Sequence, residues 1–229
     1  MKVVVITAFK NDFDKALAAA FVREDYKVYV MGNVQSGGII PDGLNIISDD
    51  IKEAAAAVQK DSNFIDIYID VSNESDLSDN FNVRTGINEQ VMRNLYEANV
   101  IRPMAMLEAF LPLLEAGDGK RLCYLTSALA SINETRGIDG LGYKMAKAAL
   151  HNFLQITRNA LAPKGFTIRA YDPCPAAGSS GDREISAEQS AQGAFNYFTR
   201  RRGIERGDPN RDDEGNLVFR DAWGRQHSW

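Results

Sequence analysis

Residues 1–31, MKVVVITAFKNDFDKALAAAFVREDYKVYVM, contain the pattern that decides the fold. Residues 3–7 form a β-branched run with no polar alternation, which is typical of a strand buried on both faces. Residues 14–23 place apolar side chains at helical spacing, and residues 27–31 form a second apolar strand. A strand, a helix and a strand in this order predict a parallel βαβ unit.

The same alternation continues along the rest of the chain. Further strands are predicted at 45–47, 64–71, 121–125, 166–171 and 217–219, and further helices at 49–60, 89–115, 142–161 and 186–201. We expect the longest helix to be bent or divided near Pro103 and Pro112, and the first helix to be capped by Asp12 or Asp14. The pattern predicts an α/β chain: one Rossmann-like domain over residues 1–229, with a doubly wound parallel sheet and helices on both faces.

Composition excludes several classes of protein. The chain has 229 residues and a formal net charge of −5, which argues against nucleic acid as the main partner. Cys123 and Cys174 are the only cysteines, too few for a disulfide scaffold or a four-cysteine zinc site, and we expect both to be core thiols. His151 and His227 lie too far apart in sequence to indicate a metal site.

Two further features bear on location. No apolar run is long enough to cross a membrane, so no membrane partner is expected. The first residues, MKVVVITAF, contain too short an apolar run for a signal-peptide core. We therefore expect a cytoplasmic protein with reduced thiols.

Residues 200–215, RRRGIERGDPNRDDEG, form the most irregular segment. Its arginines are compatible with an anion or partner site. A solvated helix end followed by a charged surface loop is the favoured interpretation.

Residues 122–150, LCYLTSALASINETRGIDGLGYKMAKAAL, carry the strongest chemical signal. A strand ends at Ser127, and the following helix places Tyr143 and Lys147 four residues apart on one face. An ammonium beside a phenol is expected to lower the phenol's pKa, and a serine hydroxyl can hydrogen-bond a substrate oxygen. These groups suit proton transfer to a carbonyl, or from an alcohol, during hydride transfer.

Residues 125–153, LTSALASINETRGIDGLGYKMAKAALHNF, resemble the short-chain dehydrogenase/reductase family, and within it the C-factor-like and sniffer-like carbonyl reductases. Residues 97–114, EANVIRPMAMLEAFLPLL, resemble the family's central helix, and residues 215–229, GNLVFRDAWGRQHSW, its closing strand. The resemblance implies a catalytic tetrad of Asn99, Ser127, Tyr143 and Lys147. Ser131 is an alternative to Ser127, which is favoured because it directly follows the strand.

The resemblance also implies NADP or NAD as cofactor, but the cofactor motifs are altered. The family begins with Thr-Gly-x-x-x-Gly-x-Gly, and here Ala8, Asp12 and Asp14 replace the three glycines that follow Thr7. Of 18 glycines in the chain, none precedes Gly32. Carboxylates at a helix start repel a pyrophosphate, and a lysine at position 10 offsets part of that charge.

Two other cofactor-facing segments depart from the family. Asn-Asn-Ala-Gly is replaced by Asp-Val-Ser-Asn at residues 70–73, and Pro-Gly by Pro-Cys-Pro at residues 173–175. Strand two ends without a residue that distinguishes NAD from NADP, so that choice is open. The predicted cofactor-binding residues are Thr7, Phe9, Lys10, Asn11, Asn33, Asp70, Val71, Ser72, Tyr143, Lys147 and Pro173.

Two functions remain open at this point. One is a divergent reductase that acts on a small-molecule carbonyl or alcohol, with residues 176–185 as a substrate loop or an ordinary surface loop. The other is a non-catalytic binding or regulatory module that has lost dinucleotide binding. In both cases the resemblance implies a homodimer or homotetramer that pairs through residues 92–115 and 142–161.

Overall fold

The computed structural model of the chain describes residues 1–32, 42–76, 79, 82, 84–173, 185–200 and 214–229. Within them one sheet contains the strands β1 (Val3–Ile6), β2 (Lys27–Met31), β3 (Leu44–Ile47), β4 (Ile67–Asp70), β5 (Arg121–Leu125), β6 (Thr167–Asp172) and β7 (Val218–Asp221). Their order is β3-β2-β1-β4-β5-β6-β7, and every pairing is parallel. The order therefore reverses between β1 and β4.

Helices cover both faces of this sheet. They are α1 (Asp12–Arg23), α2 (Ile51–Asp61), α3 (Glu89–Tyr96), α4 (Arg102–Ala116), α5 (Leu141–Leu161) and α6 (Ala187–Thr199). In β1, Val3 and Val5 pack with residues of α2, α4 and α5, whereas Val4 and Ile6 pack with residues of α1 and α6. Because successive strand residues point to opposite faces, β1 must be apolar throughout. The predicted doubly wound Rossmann-like sheet is confirmed.

One local prediction needs correction, and the predicted division of the long helix is found near Pro103. The cap of α1 is Asn11, whose extended backbone lets its side chain accept the N–H of Asp14, while Asp14 completes the reciprocal capping box. The long helix is divided by a π-helical segment, Glu97–Ile101, immediately before α4. Pro103 lies at the start of α4, where its missing N–H costs least, and the helix continues through Pro112.

Several predicted segments lie outside the described residues: Asn33, Cys174, Pro175, most of the loop at 176–185 and most of the charged segment at 200–215. Cys123 is buried in β5, and burial raises the pKa of its thiol to about 12. In the part of the chain that the structure describes, no helix is long and apolar enough to span a bilayer. The same residues contain no cluster of side chains suited to a metal ion.

Candidate active site

The ends of β1, β4, β5 and β6 meet at a cleft of about 910 Å³. Ligands of open α/β sheets bind beyond the carboxyl ends of the strands where the strand order reverses, and this cleft lies at such a reversal. The predicted cofactor-binding residues that line it are Thr7, Lys10, Asn11, Val71, Ser72 and Pro173. The fold thus gathers residues from both halves of the chain at one site.

Phe9 and Asp70 lie elsewhere than the sequence predicted. Phe9 is half-buried and packs against the apolar cluster between the sheet, α1 and α6. Asp70 is buried, and its carboxylate accepts the hydroxyl of Tyr68 at 3.0 Å and the backbone N–H of Ser72 at 2.8 Å. Neither residue is among the described residues that line the cleft. Asp70 instead shapes the turn that follows β4.

A second cavity, of about 320 Å³, adjoins the cleft, and we call it the Tyr143 cavity. Asn73, Ser75 and Asp76 line both spaces. Ser127 and Tyr143 line the Tyr143 cavity but not the cleft. The site therefore has a large compartment of about 910 Å³ beside a smaller one that contains the phenol.

The two candidate serines have different surroundings. Ser127 accepts the N–H of Leu129 at 3.2 Å, and its side chain is within hydrogen-bonding reach of Tyr143. Ser131 is fully buried, accepts the N–H of Glu134 at 3.1 Å and does not line the Tyr143 cavity. The geometry favours Ser127.

Lys147 lies beneath Tyr143 on α5 and is fully buried. Its Nζ donates to the backbone oxygen of Ser72 at 2.6 Å and lies 3.5 Å from that of Leu125. Nζ is 5.8 Å from the centroid of the Tyr143 ring. Burial lowers the pKa of Lys147 to about 7, against the opposing pull of nearby carboxylates.

The pKa of Tyr143 does not follow the sequence-based expectation. Burial is the largest effect and raises this pKa above its ordinary value. The Ser127 hydroxyl lowers it in part, while the charge of Asp172 raises it further. Lys147 does not override these effects because, with a pKa of about 7, its amine is already neutral in the pH range in which the phenol ionises. In this chain the phenol is the stable form.

Asn99 lies in the π-helical segment and is fully buried. Its Nδ2 donates to the backbone oxygen of Glu74 at 2.8 Å and to that of Leu95 at 3.0 Å. Its Oδ1 has no hydrogen-bond partner among the described residues. A π turn leaves backbone geometry irregular, and such turns are frequent at functional sites.

The segment after β4 connects these residues. Tyr143 donates its hydroxyl to Oδ1 of Asn73 at 2.6 Å. Lys147 and Asn99 donate to the backbone oxygens of the residues on either side, Ser72 and Glu74. Three of the four predicted tetrad residues therefore hold consecutive residues of one segment.

Sequence reasoning did not identify Asn73, Asp79 or Asp172 as functional. Asp79 accepts the N–H groups of Gly142 at 3.0 Å and Tyr143 at 2.8 Å, so it caps α5 from a distant loop. Asp172 is buried at the end of β6, lines the Tyr143 cavity and accepts the N–H of Ala128 at 2.7 Å. The sequence could have indicated a functional role for Asn73 and Asp172 only through their position next to a predicted strand end. No sequence feature indicates a role for Asp79.

The start of α1 forms the other end of the cleft. Oδ2 of Asp14 accepts the backbone N–H groups of Lys10 at 2.8 Å and Asn11 at 3.3 Å. The ammonium of Lys10 pairs with Glu74 at 2.6 Å. Thr7 accepts the N–H of Val71 at 3.1 Å and so ties the ends of β1 and β4 together.

A nicotinamide dinucleotide fits most of this site. The cleft is lined by Ser72, Asn73 and Glu74, which accept bonds from Lys147, Tyr143 and Asn99, and the adjoining cavity contains the Tyr143 phenol. The exception is the pyrophosphate end, where Asp14 already uses two of the amide donors that a phosphate needs. The residues fit a dinucleotide once the Asp14 carboxylate releases these two N–H groups.

Comparison of the whole fold identifies its type. A carbonyl reductase of Pseudomonas aeruginosa in complex with NADP superposes with a TM-score of 0.78 at 17% identity, over 100% of both chains. The chain has the short-chain dehydrogenase/reductase fold. The carbonyl reductase Sniffer of Drosophila melanogaster superposes with a TM-score of 0.76 at 13% identity, over 100% of this chain and 99% of Sniffer. The predicted resemblance to the short-chain dehydrogenase/reductase family is confirmed.

Sequence relatives agree with this fold. An uncharacterized oxidoreductase of Saccharomyces cerevisiae is 27% identical over 132 residues, which are 58% of this chain and 48% of the yeast protein. The C-signal protein of Myxococcus xanthus is 28% identical over 82 residues, which are 36% of this chain and 49% of that protein. The matches span about half the length of these relatives. No family model matches the sequence.

Proposed function

We propose that the chain is a reductase of the short-chain dehydrogenase/reductase type that transfers hydride between NADP(H) or NAD(H) and a small-molecule carbonyl or alcohol. One observation carries the proposal: Tyr143, Lys147 and Asn99 bond consecutive residues of the segment after β4. Ser127 lines the Tyr143 cavity beside the phenol. The NADP-bound reductase with the same fold supports the choice of cofactor class.

The nicotinamide, when bound, supplies or accepts the hydride. Tyr143 donates a proton to the carbonyl oxygen, since a raised pKa keeps its hydroxyl protonated at neutral pH. Ser127 positions that oxygen within the Tyr143 cavity. Lys147, whose pKa of about 7 gives it both protonation states near neutrality, contacts the dinucleotide and returns the proton to Tyr143. Asn99 supports this relay from beneath the cleft.

A non-catalytic binding or regulatory module is the second candidate. The observation that favours it is Asp14, whose carboxylate takes the place of a phosphate at the start of α1. On this alternative, the tetrad persists for its structural bonds to residues 72–74.

The test is oxidation of NADPH or NADH in the presence of a panel of aldehydes and ketones. We expect Tyr143→Phe to lower the rate by at least about 100-fold, the usual contribution of general acid catalysis, with dinucleotide binding retained. Tyr96→Phe is the matched control, because Tyr96 is exposed and outside the site. If wild-type protein binds neither dinucleotide and oxidises neither NADPH nor NADH with any carbonyl of the panel, the second candidate replaces the first.

We also propose that the chain forms a homodimer or homotetramer through α4 and α5. The supporting observation is a set of exposed large apolar side chains on these helices: Met104, Met145 and Ile156. Light scattering should give two or four times the chain mass. If these side chains form the contact, the double variant Met145→Glu/Ile156→Glu should have the mass of a single chain. Its circular dichroism spectrum should be unchanged.

A further inference from the structure

We propose that the carboxylate of Asp14 is an internal substitute for a nucleotide phosphate at the start of α1, and that a dinucleotide binds as Asp14 releases its amide donors and takes up a proton. The inference rests on the proposed function, because it concerns the ligand of the same cleft. It assigns a control on cofactor affinity to a residue of this chain that replaces a family glycine.

Hydrogen-bond geometry is the first observation. At the N-terminus of a helix, backbone N–H groups without partners attract phosphate oxygens. Here Oδ2 of Asp14 accepts the N–H of the cap residue Asn11 at 3.3 Å and that of the preceding residue, Lys10, at 2.8 Å. Asn11 in turn accepts the N–H of Asp14 at 2.9 Å. Two amide donors of residues that line the cleft, Lys10 and Asn11, are thus already satisfied by an anion.

The second oxygen of the same carboxylate is the independent observation. Asp14 is only 2% exposed and lines the cleft, and its Oδ1 has no hydrogen-bond partner among the described residues. A buried carboxylate oxygen without a donor is costly, and a proton on the carboxyl group removes that cost. Burial raises the pKa of Asp14 to about 6 despite the amide bonds and the charge of Lys10.

The other charged groups around the cleft do little to offset an added phosphate. Among the residues that the structure describes, its charged lining residues are Lys10, Asp14, Asp49, Glu74, Asp76 and Arg102. Lys10 is already paired with Glu74, and α6, which packs against α1, contributes only Ser186 and Ser190 as polar lining groups. Carboxylates therefore outnumber cations. A pyrophosphate beside Asp14 raises the pKa of its carboxyl group further, so binding takes up a proton near neutral pH.

Calorimetric titration of the full chain with NADPH and with NADH tests the proposal at about pH 6 and about pH 8. Asp14→Asn removes the charge and keeps a side-chain oxygen for the two amide donors. Asp12→Asn is the matched control, because Asp12 lies on the same turn with its side chain 84% exposed and paired with Lys15. Each titration is repeated in two buffers of different ionisation enthalpy, which measures the protons taken up.

Four results are expected. Wild-type protein binds at least about tenfold more tightly at the lower pH, because Asp14 is protonated there. A tenfold change in affinity is equivalent to a difference of one pKa unit. Wild-type protein takes up a fraction of a proton at neutral pH. Asp14→Asn binds at least about tenfold more tightly than wild type at the higher pH and takes up fewer protons than wild type, because any uptake that remains in this variant comes from Lys147. Asp12→Asn behaves as wild type, within about twofold.

The remaining outcomes separate this inference from the proposed function. Equal affinities of wild type and Asp14→Asn overturn the inference and leave the reductase proposal standing. Binding by Asp14→Asn alone supports the inference and overturns a dinucleotide-dependent function for the natural chain. Failure of both proteins to bind overturns both. Equal gains in Asp14→Asn and Asp12→Asn indicate a general charge effect and overturn the inference.

Discussion

At the scale of single residues, burial has more influence on the candidate site than the charge pairs that sequence suggests. The sequence places Lys147 one turn from Tyr143, and that spacing predicts a lowered phenol pKa. In the fold, burial raises the pKa of Tyr143 and lowers that of Lys147. Sequence spacing fixes which groups are neighbours, but their protonation depends on how much water reaches them.

Asp172 provides a test at this scale. Its charge raises the pKa of Tyr143, and Asp172→Asn keeps an oxygen for the N–H of Ala128 while removing that charge. We expect the pKa of Tyr143 to fall toward its ordinary value, because a like charge that opposes the phenolate is removed. The measurement is tyrosinate absorbance against pH, taken as the difference from the same protein with Tyr143→Phe.

Asp118→Asn is the control for this titration. Asp118 is exposed and precedes β5. It therefore lies at the amino ends of the strands, whereas Asp172 lies at their carboxyl ends. An unchanged titration in Asp172→Asn, or an equal shift in Asp118→Asn, contradicts a local effect of the Asp172 charge.

At the scale of elements, the start of α5 depends on a contact that the helix sequence does not contain. Gly140 precedes the helix in the left-handed region, with φ of 73°, and has no side chain to cap it. Asp79 supplies the cap by accepting the N–H groups of Gly142 and Tyr143. The position of the phenol is therefore set from a separate loop.

We expect Asp79→Ala to lower the free energy of unfolding by about 1–3 kcal/mol, because a buried N–H group, that of Gly142, and a partly buried one, that of Tyr143, lose their acceptor. Equilibrium unfolding in urea measures it. Asp139→Ala is the control, because Asp139 is exposed and accepts a single long bond from Asn82 at 3.4 Å. Equal stability of Asp79→Ala and wild type would show that solvent caps this helix as well as Asp79 does.

At the scale of the whole molecule, the last residues of the chain are held by a charged group that titrates. His227 lies 2.7 Å from Glu134 and 3.1 Å from Asp221 at the end of β7. These bonds raise the pKa of His227 from 6.5 to about 9. Since the folded state holds this proton more tightly, the stabilisation is complete below the unfolded pKa and is lost as pH rises through about 9.

We expect His227→Asn to be less stable than wild type by about 1–3 kcal/mol below the ordinary histidine pKa, with the difference shrinking as pH rises. Urea unfolding at a series of pH values measures it. Lys147 titrates in an overlapping range with the opposite sign, because its pKa is lowered, but both proteins carry it and the difference cancels its effect. A difference that does not change with pH contradicts the role of the charged imidazole.

Most of the fold was predictable because strand and helix periodicity are local properties. The strands at 27–31 and 121–125 have the predicted bounds, whereas the strand predicted at 64–71 is only Ile67–Asp70. Apolar composition extends past the residues that pair in the sheet, so it overestimates strand length. The π-helical segment around Asn99, which bonds the segment after β4, was not predicted, because helical periodicity alone does not distinguish one π turn within a long helix.

The sequence by itself determined the alternation of apolar strands and amphipathic helices, the shared helix face of Tyr143 and Lys147, and a phosphate loop without glycine. Each of these depends on residues close together in the chain. Only the tertiary structure decided that Asp79 caps α5, that Tyr143 stays protonated, and that Asp14 takes the donors at the start of α1. Those outcomes depend on which distant groups meet and on how far water is excluded between them, and no local pattern encodes either.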